Sequence, residues 1–203
     1  MTIILGLIFI LGLLVVLFQK WIRKWNIYFY GIAVAISIIS FTQETTIINM
    51  GYVGISFFFL VMIASTMEQG TIKKKLMGNR AELAVIGSIF SITHGLKYIL
   101  FALDYSFFWE APLYFYLGII SVLVMLPLAI TSLMIIRKKM KGKAWKKLHK
   151  LSYVFYGLIF LHVILIANDR MLFYIVLAGV YAVYKGLTLI TKKVEVKKVK
   201  PAV

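Results

Sequence analysis

The chain has 203 residues, is 62% hydrophobic and has a mean hydropathy of +0.94, well above the roughly half-apolar make-up of a soluble domain. Its net charge of +16 is gathered between apolar runs, which reads as membrane-flanking loops rather than a nucleic-acid surface. Cysteine is absent, which excludes disulfides, thiolate-ligated iron–sulfur clusters and Cys-based zinc sites.

The apolar runs are continuous rather than alternating, which favours membrane helices over a β-barrel. Thr2 to Phe18 is the first, without the positive leader of a signal peptide. Lys20, Arg23 and Lys24 follow it, with Trp21 and Trp25 at the interface. Ile27 to about Ile39 is the second run. Phe41 to Met50 is a polar connection with an acid, Glu44. Tyr52 to Met67 is the third. Glu68 to Arg80 is a basic loop with Lys73, Lys74 and Lys75. Ala81 to Leu103 carries His94 and Lys97, and Asp104 to Pro112 is an acidic, aromatic loop. Pro112 suits the first position of the next helix. Leu113 to Ile136 follows, with Pro127 a candidate kink. A basic stretch from Arg137 to Lys150 then leads into Leu151 to Ala167. Asn168 to Arg170 is a tight turn, Met171 to Ile190 is the last run, and the chain ends in a basic tail.

Twenty of the 23 lysines and arginines fall in the three basic loops and the tail, all on one side of an alternating topology. Four of the seven acids, Glu44, Asp104, Glu110 and Asp169, fall on the other. The positive-inside rule then predicts an all-α polytopic bundle of about seven spans, N-terminus out and C-terminus in. The division expected is N-terminal spans over 1–50, a main transmembrane domain over 51–191 and a basic cytoplasmic tail over 192–203. The chain shows no GxGxxG, phosphate loop, HExxH or GxSxG, and the spans leave no room for a soluble catalytic domain.

The three histidines are the candidate site residues. A histidine inside the membrane is expensive and functional by default. His94 lies 14 residues beyond Arg80, and His162 lies 12 beyond Lys150. Both spans run in the same direction, so the two imidazoles share a depth within about one helical turn. They can clamp one haem from both faces; the alternatives are a proton relay or hydrogen-bonded core histidines. His149 sits among Lys146, Lys147 and Lys150, where a solvated basic face is the plain alternative. It lies 13 residues before His162, about 20 Å on a helix, which suits a second haem. On a straight helix the two side chains point about 140° apart, so His149 requires a frayed or deformed helix start. No conventional ligand lies opposite it, near Arg80 or Ala81. An inner haem is then five-coordinate, shares ligands, or gives way to a flavin. Lys97 is placed to meet a haem propionate or to snorkel to the surface, and Arg80 and Arg137 to meet propionates or lipid phosphates. Gly87, Gly95 and Gly157 allow close approach, and Phe107, Phe108 and Trp109 form an interfacial belt.

The run NRAELAVIGSIFSITHGLKYILF resembles the "R-x-x-LG…H-x-x-x-Y" helix of the ferric reductase-like transmembrane domain family. The stretch from Leu117 to His162 resembles its next two helices, through the "TS", the "G-x-x-W-x-x-LH-x-L-x-Y" and the final "H". The similarity runs from about Gly51 to Ile190. Its nearest branch is the haem-binding membrane subunit of the bacterial protein-methionine-sulfoxide reductase system. The resemblance implies b-type haem, with the family's histidines falling on His94, His149 and His162; the expectation is one or two haems b per chain, with FMN the alternative occupant of the inner site. It also implies electron transfer across the bacterial cell membrane, from a cytoplasmic NAD(P)H–flavin reductase or quinol to an extracytoplasmic oxidoreductase. Departures are Glu82 at a usually apolar position, Ala84 for the glycine of "LG", Lys97, and the extra N-terminal span. The competing expectations are a proton-coupled transporter using its intramembrane His and Lys, and a structural subunit without cofactor.

Overall fold

The computed structural model describes residues 2–43, 46–49, 51–105 and 107–199, and the regular structure among them is all helical. In chain order the helices are α1 (Thr2–Lys24), α2 (Asn26–Thr42), α3 (Thr46–Asn49), α4 (Tyr52–Thr66), α5 (Thr71–Gly78) and α6 (Arg80–Asp104). They continue with α7 (Leu113–Ser132), α8 (Met134–Arg137), α9 (Gly142–Leu148), α10 (Leu151–Ile166) and α11 (Met171–Val199). Short 3₁₀ turns occupy Phe108–Glu110 and Asn168–Arg170. Glu44 and the last four residues of the tail lie outside the described residues.

Five helices are long and apolar enough to cross a membrane: α1, α6, α7, the α9–α10 unit over Gly142–Ile166, and α11 through Thr188. The apolar helices α2 and α4 are shorter, at 17 and 15 residues. The chain is a multi-pass helical membrane protein. Large apolar side chains such as Phe9, Leu17, Ile27, Leu123, Leu161, Leu172 and Val183 point outward, as a lipid-facing surface requires.

The bundle is built round α4. Nine of its 15 residues are buried, and a helix that is apolar all round belongs inside. Phe57, Leu60 and Ala64 join a cluster with α1, α2, α5 and α6. Ile55, Phe59 and Met62 join a second with α1, α10 and α11, and Phe58 a third with Met125, Leu128 and Phe155. Small residues set the α4–α6 contact. A Cβ on Gly87 would stand 2.9 Å from the Phe57 Cβ, and one on Gly54 only 3.2 Å from the Gly87 carbonyl.

The loops hold more helix than the sequence suggests. The basic run after α4 contains α5, and the run after α7 contains α8 and α9. The helix expected over Leu113 to Ile136 passes through Pro127 and stops at Ser132, where Leu133 turns extended (φ −61°, ψ 128°). Thr131 and Ser132 spend their hydroxyls on the carbonyls of Pro127 and Leu128, a pattern that weakens a helix. The last helix runs on to Val199, through the first part of the expected tail.

Candidate functional site

Helices α6 and α10 both pack on α7, and near one end of the bundle they bring His94 and His162 together. The ring centres are 6.4 Å apart and the planes cross at 78°. Each ring is held by a main-chain carbonyl. His94 Nδ1–H donates to the carbonyl of Asn49 at 2.5 Å, and His162 Nδ1–H donates to that of Tyr114 at 2.7 Å. A carbonyl only accepts, so in both rings the proton sits on Nδ1 and the Nε2 lone pair is left for another partner. That orientation by a second hydrogen bond is the usual support of a ligating histidine.

Glycines make room for the rings. Gly51 is the left-handed residue (φ 72°) that opens α4, and it lies against the His94 ring. The turn it makes, closed by its N–H on the Ile48 carbonyl at 2.9 Å, presents the Asn49 carbonyl. A Cβ on Gly118 of α7 would stand 2.9 Å from His162 Cε1. Tyr98, one turn beyond His94, packs edge-on against it at 5.0 Å.

This pair fits a haem better than a metal held by protein alone. A protein-only centre needs three or four side-chain ligands, and no group of three His, Cys, Asp or Glu residues with that capacity occurs among the described residues. Haem iron brings its own equatorial ligands and asks the protein only for axial ones. His94 and His162 would hold such a group through the Nε2 atoms that their main-chain hydrogen bonds leave open.

His149 lies at the opposite end of the bundle. It occupies the break between α9 and α10, which is how the chain meets the angular conflict with His162. Its Nε2 is 3.0 Å from the Thr131 hydroxyl. That hydroxyl donates to the Pro127 carbonyl at 2.6 Å, so towards His149 it accepts, and Nε2 carries the proton. Trp145 stacks on the ring at 4.0 Å and donates its indole N–H to the Thr131 carbonyl at 3.1 Å. Arg80 and Arg137 lie over the Trp145 ring at 5.4 and 4.7 Å. Beside this group opens a cavity of about 320 Å³ lined by His149, Arg80, Arg137, Lys185, Tyr153 and Tyr156, among others. Its size and cationic, aromatic lining suit a flat anionic ligand.

Of the sequence candidates, the structure unites His94 and His162, and places Arg80 with His149 at the cavity. Lys97 stays on α6, one turn from His94, half-buried. The sequence reading missed the carbonyls of Asn49 and Tyr114, the glycines at 51 and 118, and the Thr131–Trp145 clamp. Carbonyls carry no residue signature; the glycines did offer one, Gly51 just ahead of α4 and Gly118 in the second turn of α7.

Comparison with known proteins supports the same part of the chain. An uncharacterized protein of Treponema pallidum is 35% identical over 115 residues, which are 52% of this chain and 31% of that protein. Magnetosome protein MamZ of Magnetospirillum gryphiswaldense is 32% identical over 123 residues, 57% of this chain and 19% of MamZ. The MamZ of Paramagnetospirillum magneticum is 28% identical over the same length. The chain thus spans a third or less of the length of these curated relatives. No solved structure matches it. The profile of the ferric reductase like transmembrane component family matches residues 50–160, which take in α4, α6, α7, His94 and His149 and end two residues before His162. The chain belongs to that family.

Proposed function

We propose that this chain is a membrane electron-transfer subunit that holds haem b between His94 and His162. The observation that carries this is the matched pair of imidazoles, each with Nδ1–H tied to a carbonyl and Nε2 left for a ligand. The bound haem supplies reversible one-electron transfer through its iron. The protein's own residues do the rest: Asn49 and Tyr114 fix the rings, Gly51 and Gly118 leave space for them, and α4 closes the floor. Lys97, on α6 three residues beyond His94, is the cation we assign to a propionate.

Seven spans, with the lysine-rich end in the cytoplasm and the histidine pair toward the outside of a bacterial cell membrane, complete the topology. The cavity at His149, Arg80 and Arg137 lies on the electron-receiving side. It is where an inner haem, an FMN or a quinol would bind, fed by a cytoplasmic NAD(P)H–flavin reductase or by the quinol pool. Because His149 Nε2 is engaged by Thr131, an inner haem requires that bond to open. We take the acceptor to be an extracytoplasmic oxidoreductase, as in the methionine-sulfoxide reductase branch that the sequence resembles.

The test is a dithionite-reduced minus oxidised spectrum of the purified protein, with haem counted per chain. A b-type Soret and α-band pattern, lost in His94→Ala and in His162→Ala, is expected. A colourless, folded protein from haem-replete cells would leave the proton-coupled transporter as the better reading.

A further inference from the structure

The histidine pair sits close to one surface of the molecule. His162 is four residues from the end of α10 at Ile166, about 6 Å along the axis. The carbonyl that holds it belongs to Tyr114, the second residue of α7. The residues leading into α7, 104–105 and 107–113, therefore form a thin cap beside the pair. Its shape is tied down from within. Tyr116 O–H donates to the Phe108 carbonyl at 2.7 Å, and Phe108 packs edge-on against Phe115 at 5.6 Å.

The outer face of this cap has two unusual properties. Trp109 is 86% exposed and Tyr105 68%. The exposed charges on it are the acids Asp104 and Glu110; the turn that follows α10, seven residues beyond His162, adds Asp169, with Arg170 its cation. The chain as a whole carries +16, and its basic loops lie at the other end. Local acidity on so basic a molecule makes the cap the surface that attracts cations and the opposite end the surface that repels them.

Building on the haem reading, we infer that this cap is the electron-exit docking surface, and that its partner is a water-soluble redox protein with a lysine- and arginine-rich face around its own redox centre. Trp109 is the aromatic anchor, and Asp104, Glu110 and Asp169 are the steering charges. Aromatic centres with charged rims are how such interfaces are built, and complementary charge acts chiefly on encounter. The step is the transfer of one electron: the site is oxidised, the partner's centre is reduced, and no bond or proton moves.

The experiment uses the full chain in nanodiscs of zwitterionic phosphatidylcholine, with lysine-rich cytochrome c as the probe. Two quantities are read: equilibrium binding of the probe, which needs no haem in this chain, and the rate at which the reduced protein is reoxidised. In the variant D104N/E110Q/D169N, binding at low ionic strength weakens about tenfold and the bimolecular rate falls by a similar factor. Trp109→Ala lowers both as well. Reoxidation by a small neutral quinone is unchanged, and so is probe binding in the control R23Q/K24Q at the other end. Equal binding by wild type and the triple variant overturns the docking surface. Absence of a reducible haem band removes the relay but leaves the binding comparison to decide the surface.

Discussion

At the scale of single residues, the site is set by what is missing as much as by what is present. Gly118 faces the His162 ring so closely that an added methyl would lie 2.9 Å from Cε1. Gly118→Ala must push the ring off the Tyr114 carbonyl or the helix off its neighbour. The expected result is a protein that folds but holds well under half the haem of wild type, measured as Soret absorbance per chain. His149 makes a contrasting case. It takes no part in the His94–His162 contact, so His149→Ala leaves the haem held by that pair in place, and any fall in haem per chain reports an inner haem alone. Glu82 offers a test independent of cofactors. Its side chain is 3% exposed and Oε2 has no hydrogen-bond partner. Two lysines of the preceding helix are engaged elsewhere: Lys75 Nζ donates to the Val16 carbonyl at 2.9 Å and Lys73 to that of Met67 at 2.5 Å. A buried polar atom without a partner costs about 1–3 kcal/mol. Glu82→Leu, which restores the apolar residue usual in the resembled helix, is therefore expected to raise the unfolding temperature. An unchanged or lower midpoint would mean that Glu82 has a partner in the native membrane.

At the scale of elements, the long apolar runs were legible because hydropathy and loop charge report directly on membrane helices. The paired depth of His94 and His162 was also legible, from residue counts alone. Less was visible at the ends. The sequence reading treats Arg137 to Lys150 as loop, because lysine-rich composition there mimics solvated coil. In the structure Trp145 anchors α9 through Thr131, and the break after Leu148 is what turns His149 toward α7. No periodicity reveals such a break, since it depends on a side chain 14 residues upstream. The central place of α4 was equally hidden: with apolar residues on every face, it reads the same as a lipid-facing span, and only its glycine at 54 hints at close contact. That contact can be tested. Gly87→Leu would drive a large side chain into the Phe57 backbone region, where a single Cβ already stands 2.9 Å away. Overpacking of this kind costs about 1–3 kcal/mol or more. A clear drop in detergent unfolding temperature is expected, against little change for Gly157→Leu, whose Cβ position has nothing within 4 Å.

At the scale of the whole molecule, the proposed electron transfer takes its direction from the orientation of the chain in the membrane. The 15 residues of α4 and 17 of α2 give rises of about 22 and 26 Å, short of a hydrocarbon core of about 30 Å. For α4 the shortfall matters less, because other helices enclose it and it needs no lipid contact along its whole length; α2 is largely exposed, with only Ala33, Ser37 and Ser40 buried. The positive-inside rule, applied to the basic ends of α1, α5, α9 and α11, gives the parity we propose. The absence of cysteine makes this directly measurable, since an introduced thiol is the sole target for a maleimide. With a membrane-impermeant reagent on intact cells, Thr2→Cys and Glu110→Cys are expected to label. Lys74→Cys and Lys143→Cys are expected to label only after permeabilisation. Labelling of Lys143→Cys in intact cells would invert the topology and place the His149 cavity outside, so the cytoplasmic donor and the acidic exit cap would both have to be abandoned. Labelling of Thr2→Cys only after permeabilisation would be narrower in effect: α1 would not cross, and the parity of α4 to α11 would rest on the other three positions alone.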